Sequence, residues 1–481
     1  MKKLILLLAI SSLVALQAQA PPRQAHLSSA TTEHAQKILA GIPMEPVRFQ
    51  PPTIKEIKLK SGATLLVTDE NSLPFLTLEL HFPGGTKLES IEHAGLWDAA
   101  TSLLAVDGAG NLTGDQIAEE FSRMGARFSI RNDYESWVVT LTVLKWHFPR
   151  AFQLLSDVLL RPQLSQDRLN VILDGMETDI AQRNNRPEST AGRRLQELLY
   201  PGSRRGKSLE KSDLQKITTA GIKSEIARRL YAGNMIVAAG GDLRGINLES
   251  SLDGLLSQFP ATAIPKETER LNPRKYTDKI LLVEMDVAQA AVTIGTILPA
   301  HRSPDFYALQ IGNHVLGGNS FNSRLMKEVR AKRGLAYYAM SYTSFFEDDG
   351  RFISAAGTRV EQADETLKLM LSIIHGMNKP AGEQESGLAK DSILNSLVFL
   401  YDDPESYLRS QVRFRLHGLP VNYIQEYQKH IQSESTTAVA KAFAKYVKSD
   451  VNIVVAGPKS LKAQLEKIRP VIVVGPESRI P

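Results

Sequence analysis

Apolar and polar residues alternate through Ile54–Glu70, IKEIKLKSGATLLVTDE, and the alternation breaks at Ser61-Gly62. A period of two around a Ser-Gly turn predicts a β-hairpin. A strand over Phe75–Phe82 follows and stops at Pro83-Gly84-Gly85. The period then lengthens. His93–Ala105 reads as an apolar helix, and Asp115–Met124 as an amphipathic one starting at Thr113. Ala126–Arg131 and Glu135–Val143 read as paired strands, and helices over Arg150–Leu160 and Gln166–Asn184 close the unit.

Much of this order recurs. Gly334-Leu335-Ala336-Tyr337 follows a charged helix as Gly125-Ala126-Arg127-Phe128 does, Pro187-Glu188-Ser189 reappears as Pro404-Glu405-Ser406, and NMIVAAG (Asn234–Gly240) returns as VNIVVAG (Val451–Gly457). A repeat this long signals duplicated domains rather than a solenoid. The seam falls in 261–275, where two prolines and mixed charge interrupt any periodicity. The expected domains are 53–260 and 276–475. Each is α+β, a mixed, mostly antiparallel sheet covered by helices on one face, and the two together form a clam-like half-chamber around a cavity.

Residues 1–20, MKKLILLLAISSLVALQAQA, combine two lysines, an apolar run and an A-x-A ending, which is the pattern of a secretory signal peptide. The expected location is periplasmic or secreted, with an extended leader over 21–52. No later apolar run is long enough to span a bilayer, so no membrane insertion is expected after signal removal. The chain of 481 residues has no cysteine, which excludes thiol chemistry and disulfides, and its formal charge of +5 argues against nucleic acid as a partner. The basic cluster Arg193, Arg194, Arg204, Arg205 and Lys207 reads as a solvated face.

The most informative run is Leu316–Ser341, LGGNSFNSRLMKEVRAKRGLAYYAMS. Gly317-Gly318 reads as a turn allowing positive φ, Ser320 or Asn322 as a helix cap, Leu325 and Val329 as the buried helix face, and Gly334 as the stop. Arg330 then lies in the last helical turn and Tyr337 at the head of a strand. A guanidinium fork beside a phenol suits a peptide carbonyl or its oxyanion. The same residues also fit an arginine at the negative helix end and a tyrosine half-buried in a sheet.

Metal chemistry finds no support in the residue pattern. No two of the ten histidines share an i, i+4 spacing, and H-E-x-x-H and H-x-x-E-H are both absent. His81, His93, His147, His301, His314, His375 and His417 read as packing or surface residues. There is no G-x-S-x-G elbow and no phosphate loop.

The duplication and the run SRLMKEVRAKRGLAYYAMS resemble the pitrilysin/insulysin clan of zinc peptidases (M16), in its short, mitochondrial-processing-peptidase-like members. The resemblance covers about Ile54 to Val474. It implies that Arg330 and Tyr337 bind substrate beside zinc and stabilise the tetrahedral intermediate. It also implies a degenerate zinc motif: Trp97 and Thr101 stand for the two histidines and Ala100 for the catalytic glutamate, while the downstream ligand falls in Glu177-Thr178-Asp179. By this resemblance the chain holds no metal. It is the non-metal subunit of a heterodimeric peptidase, with zinc on a homologous H-x-x-E-H partner and unfolded peptides as substrate. The alternative is a catalytically inactive scaffold or peptide-binding protein of the same fold.

Overall fold

The computed structural model describes residues 51–262, 276–319, 322–401, 403–448 and 450–481. The expected signal peptide, nearly all of the leader, Ser320 and most of the 261–275 seam lie outside them. The described residues fall within one compact unit.

Among the described residues, twelve strands form two sheets. The first contains β1 (Lys55–Lys58), β2 (Thr64–Asp69), β3 (Phe75–Pro83), β4 (Arg127–Asn132), β5 (Ser136–Leu144) and β6 (Ile236–Gly241), in the order β1-β2-β6-β3-β5-β4. The second contains β7 (Ile280–Glu284), β8 (Gln289–Leu298), β9 (Ala336–Phe345), β10 (Gly350–Arg359), β11 (Asn452–Gly457) and β12 (Val471–Val474), in the order β12-β7-β11-β8-β10-β9. Both are mixed and mostly antiparallel, as the alternating pattern predicts. The hairpin at Ser61-Gly62 forms, and Thr113 caps its helix through a reciprocal capping box with Gln116.

One feature departs from the expectation of helices on one face. The helix α2 (Pro187–Leu199) packs on β8 and β11 of the second sheet, while the helix α3 (Pro404–Leu416) packs on β6 and β2 of the first. Ala191, Leu195 and Leu198 therefore bury against Leu281, Ala291 and Val454, and Leu408 and Val412 bury against Leu66, Ile236 and Ala238. These two helices open with the repeated Pro-Glu-Ser, so the exchange is reciprocal. Burying a leucine stabilises by about 1.5–3 kcal/mol, so several such residues on each helix hold the two halves together. Among the described residues, no helix is long and apolar enough to cross a membrane.

The candidate Arg–Tyr site and the degenerate metal helix

Leu325 and Val329 bury fully and anchor the segment that carries Arg330. The backbone over Met326–Ala331 is a widened π-helical turn, a form frequent at functional sites. Gly334, at φ +61°, ends it, with its amide bonded to the Arg330 carbonyl at 3.0 Å. Gly317 and Gly318 differ from expectation. Neither adopts positive φ; they lie in a second π-helical turn, His314–Gly318, where a Cβ on Gly317 would overlap the Ser341 amide nitrogen. Their role is close approach to β9 rather than a turn.

Tyr337 owes its direction to a bulge. Gly357 of β10 pairs with Tyr338 and the next residue, Thr358, pairs with Ala336, so Tyr337 is the extra residue on its strand. The bulge keeps Ala336 in the core and turns Tyr337 outward, leaving it 77% exposed. The Arg330 guanidinium lies 5.7 Å from the centre of the Tyr337 ring. Its only nearby side-chain acceptor among the described residues is the Met326 sulfur at 3.9 Å, so its donors face outward uncommitted. The two residues thus come together, but on the open surface; the cavity between the halves is lined by other residues.

The helix α1 (Leu96–Val106) carries the degenerate motif. Trp97, Ala100 and Thr101 are all buried. The Trp97 ring packs edge-on to Trp137 at 5.2 Å and lies under the Arg229 guanidinium at 4.4 Å. Thr101 donates its hydroxyl back to the Trp97 carbonyl at 3.0 Å. Metal ligands serving a substrate must lie on the outward face, and there the i, i+4 pair is Asp98 and Ser102, with Ser102 exposed. Geometry therefore places the histidine-equivalent positions at Asp98 and Ser102, one residue later than Trp97 and Thr101, and the glutamate-equivalent position at Thr101 rather than Ala100.

The outward residues do not fit zinc, which takes nitrogen, thiolate or carboxylate ligands in a tetrahedral set. Asp98 accepts from Asn132 at 2.8 Å and from Arg204 at 3.2 Å. Arg204 also pairs with Glu89, whose carboxylate caps α1 through the Trp97 amide at 2.6 Å. Burial raises the Glu89 pKa, and Arg204 only partly offsets it. A fixed guanidinium thus sits between the two carboxylates. Downstream, Glu177 pairs with Lys211 and Thr178 bonds its own helix. Among the described residues no three His, Asp or Glu side chains are grouped as a metal site.

The basic cluster is not a solvated face. Arg194 is buried and pairs with Glu197, Arg204 is engaged as above, and Arg205 is stacked between Tyr134 and Phe346 while paired with Asp349 at 2.6 Å. Sequence separation concealed these partners.

It also concealed a buried polar chain. His301 and His417 approach Nδ1 to Nδ1 at 2.8 Å, His417 Nε2 lies 2.9 Å from Glu135, and His301 Nε2 lies 2.8 Å from the Tyr423 hydroxyl. Burial alone would raise Glu135, but the hydrogen bond and charge of His417, the Glu347 amide and Lys87 together outweigh it and hold this carboxyl below its usual value. An ionised carboxylate only accepts, so His417 donates from Nε2 to Glu135. With one ring proton on each imidazole, His301 donates from Nδ1 to His417 and accepts the Tyr423 proton at Nε2. Burial first, then His417 and Arg413, lower the His301 pKa to about 3. Neither histidine has a sequence signal that separates it from an ordinary core residue.

Two duplicated α+β halves with an outward Arg–Tyr pair, and a metal-motif helix without imidazoles, define a peptidase fold that lacks its own metal ligands. Residues 77–213 match the insulinase family, peptidase family M16, and residues 216–391 match the peptidase M16 inactive domain. The chain belongs to this family. It is 25% identical over 346 residues to an uncharacterized zinc protease of Rickettsia felis, covering 71% of this chain and 82% of that protein. It is also 25% identical over 376 residues to the non-peptidase homolog YmxG of Helicobacter pylori, covering 77% and 86%. A peptidase M16 inactive domain from Pseudomonas fluorescens superposes with a TM-score of 0.77 at 25% identity, covering 84% of this chain and 98% of that one.

Proposed function

We propose that this chain is the non-metal subunit of a secreted or periplasmic heterodimeric zinc peptidase, and that Arg330 and Tyr337 act on peptides held at the partner's zinc. The observation that carries the reading is the uncommitted Arg330 guanidinium beside the bulge-directed Tyr337 ring. Packing does not require either residue, since Tyr337 is the bulged position and Arg330 has no carboxylate partner among the described residues. In this role the guanidinium and phenol donate to the scissile carbonyl oxygen and follow it as negative charge develops. The partner supplies the metal and the attacking water. No step runs through a metal on this chain, because Asp98, Thr101 and Ser102 cannot hold one.

The test is reconstitution. The chain is purified alone and together with a zinc-bearing relative containing H-x-x-E-H, and each sample is given a quenched peptide. Hydrolysis is expected only from the mixture, with both chains eluting together. Stoichiometric zinc and activity in this chain alone would overturn the reading. Co-elution without any hydrolysis would favour the inactive scaffold, a reading supported by the filled Asp98–Arg204–Glu89 site and by the name of the Helicobacter relative.

A further inference from the structure

After β12 the chain turns back toward the first half. Pro476 takes the second place of a β-turn, which it favours, and the turn closes where the Ser478 amide donates to the Gly475 carbonyl at 3.2 Å. Glu477 is thereby presented to the end of the helix Gln166–Gln182. There Arg183 Nε donates to the Glu477 carboxylate at 2.8 Å, and the Asn184 side-chain amide donates to the same group. Arg193 Nη2 donates to the Pro476 carbonyl at 2.7 Å, and Arg194 Nη2 donates to the Ser478 carbonyl at 2.5 Å. Ile480 is buried in the apolar cluster that holds Leu195 and Leu198 of α2.

This tie is made of charge and one apolar side chain rather than of strand pairing. Among the described residues, the first half offers Arg183, Arg193 and Arg194 one carboxylate in ion-pair contact, Glu197, which Arg193 and Arg194 share. Glu477 supplies the second, and it reaches Arg183. An open cavity of about 370 Å³ remains beside the segment, lined by Arg194, Ser478 and Ile480 among others, so the segment is not packed shut. What it holds is weakly anchored elsewhere. Of the 17 residues in the helix Gln166–Gln182, only Leu169 is fully buried. Helices in proteins owe most of their stability to tertiary packing, so this one depends on how its ends are fixed. It also bears on α1: a Cβ on Gly95, just before that helix, would lie 3.4 Å from the Met176 methyl. We infer that segment 475–481 is a detachable clasp. With Glu477 and Ile480 seated, the C-terminal half of the helix Gln166–Gln182 and its turn into α2 are ordered. With them released, this corner opens while both sheets stay folded, so the clasp sets the mobility of the surface beside α1. It uses neither Arg330 nor Tyr337 and stands or falls separately from the proposed catalytic role.

The test is hydrogen exchange of the full chain, read by mass spectrometry, for wild type, Glu477→Gln and the double variant Glu477→Gln, Ile480→Ser. Amides of residues 174–186 should exchange about tenfold faster in Glu477→Gln, the scale of a lost hydrogen bond to a charged group, and faster again in the double variant. Amides of β3, β5, β8 and β10 should exchange as in wild type. Arg479→Ala removes an exposed neighbour that the clasp does not use and should behave like wild type. If the double variant fails to fold, Glu477→Gln decides, since that side chain is 52% exposed and its loss leaves the apolar contact in place. Wild-type exchange at 174–186 in Glu477→Gln would overturn the inference. Equal acceleration in the four strands would also overturn it, because the segment would then be part of the global fold rather than a clasp on one corner.

Discussion

Lowering the pH from 7 to 5 should destabilise this protein through His301. The imidazole is buried and neutral in the fold, with its pKa lowered from 6.5 to about 3 by burial, His417 and Arg413. The unfolded chain takes up a proton near 6.5 that the folded chain refuses. Stability from this residue is therefore complete above the unfolded value and is lost as the pH falls from there toward 3. Proton linkage between these two values gives a loss of about 2 kcal/mol between pH 7 and pH 5. Glu135, whose pKa is lowered, titrates below that window and adds little to it. For a chain of 481 residues the unfolding entropy is about 1 kcal/mol per kelvin, so the melting midpoint should drop by about 2 °C from this residue alone. The assay is thermal unfolding at both pH values for wild type and His301→Gln. The variant should be less stable at pH 7 and should show a pH-dependent drop smaller by about 2 °C. An identical drop in both proteins would refute the reasoning, because the charge refused by the fold would then not be the one on His301.

Further expectations concern the helix α1 and its surroundings. Trp97→Ala should cost about 3–5 kcal/mol, read from denaturant unfolding, because the ring is fully buried between Trp137 and Arg229. The combination Asp98→His and Ser102→His should remain folded by circular dichroism, because both positions lie on the outward face of α1. Trp97→His, Ala100→Glu and Thr101→His should not, because it places a carboxylate in the core. Gly317→Ala should lower stability by about 1–3 kcal/mol in the same unfolding assay, since its Cβ would collide with the Ser341 amide.

Local patterns were readable where one period decided the outcome. The Ser61-Gly62 hairpin, the Thr113 cap and the Gly334 stop each rest on residues a few positions apart, and each appears as the pattern predicts. Arg330 and Tyr337 could be placed near each other for the same reason. The outward aim of Tyr337 could not, because a bulge is set by how β10 pairs with β9, and that registration is not written in either strand. The motif register on α1 failed by one residue because a tryptophan after Gly95-Leu96 looks like a replaced ligand until its burial is known. The exchange of α2 and α3 between sheets, and the His301–His417 contact across 116 residues, depend on tertiary packing that no local window contains.

The most direct measurement is the turnover of a quenched peptide by this chain reconstituted with a zinc-bearing relative, compared with Tyr337→Phe and Arg330→Ala. Neither substitution removes a buried contact, so complex formation should be unchanged, while kcat should fall by about 10²–10³ for loss of an oxyanion donor. Wild-type turnover in both variants would contradict the account.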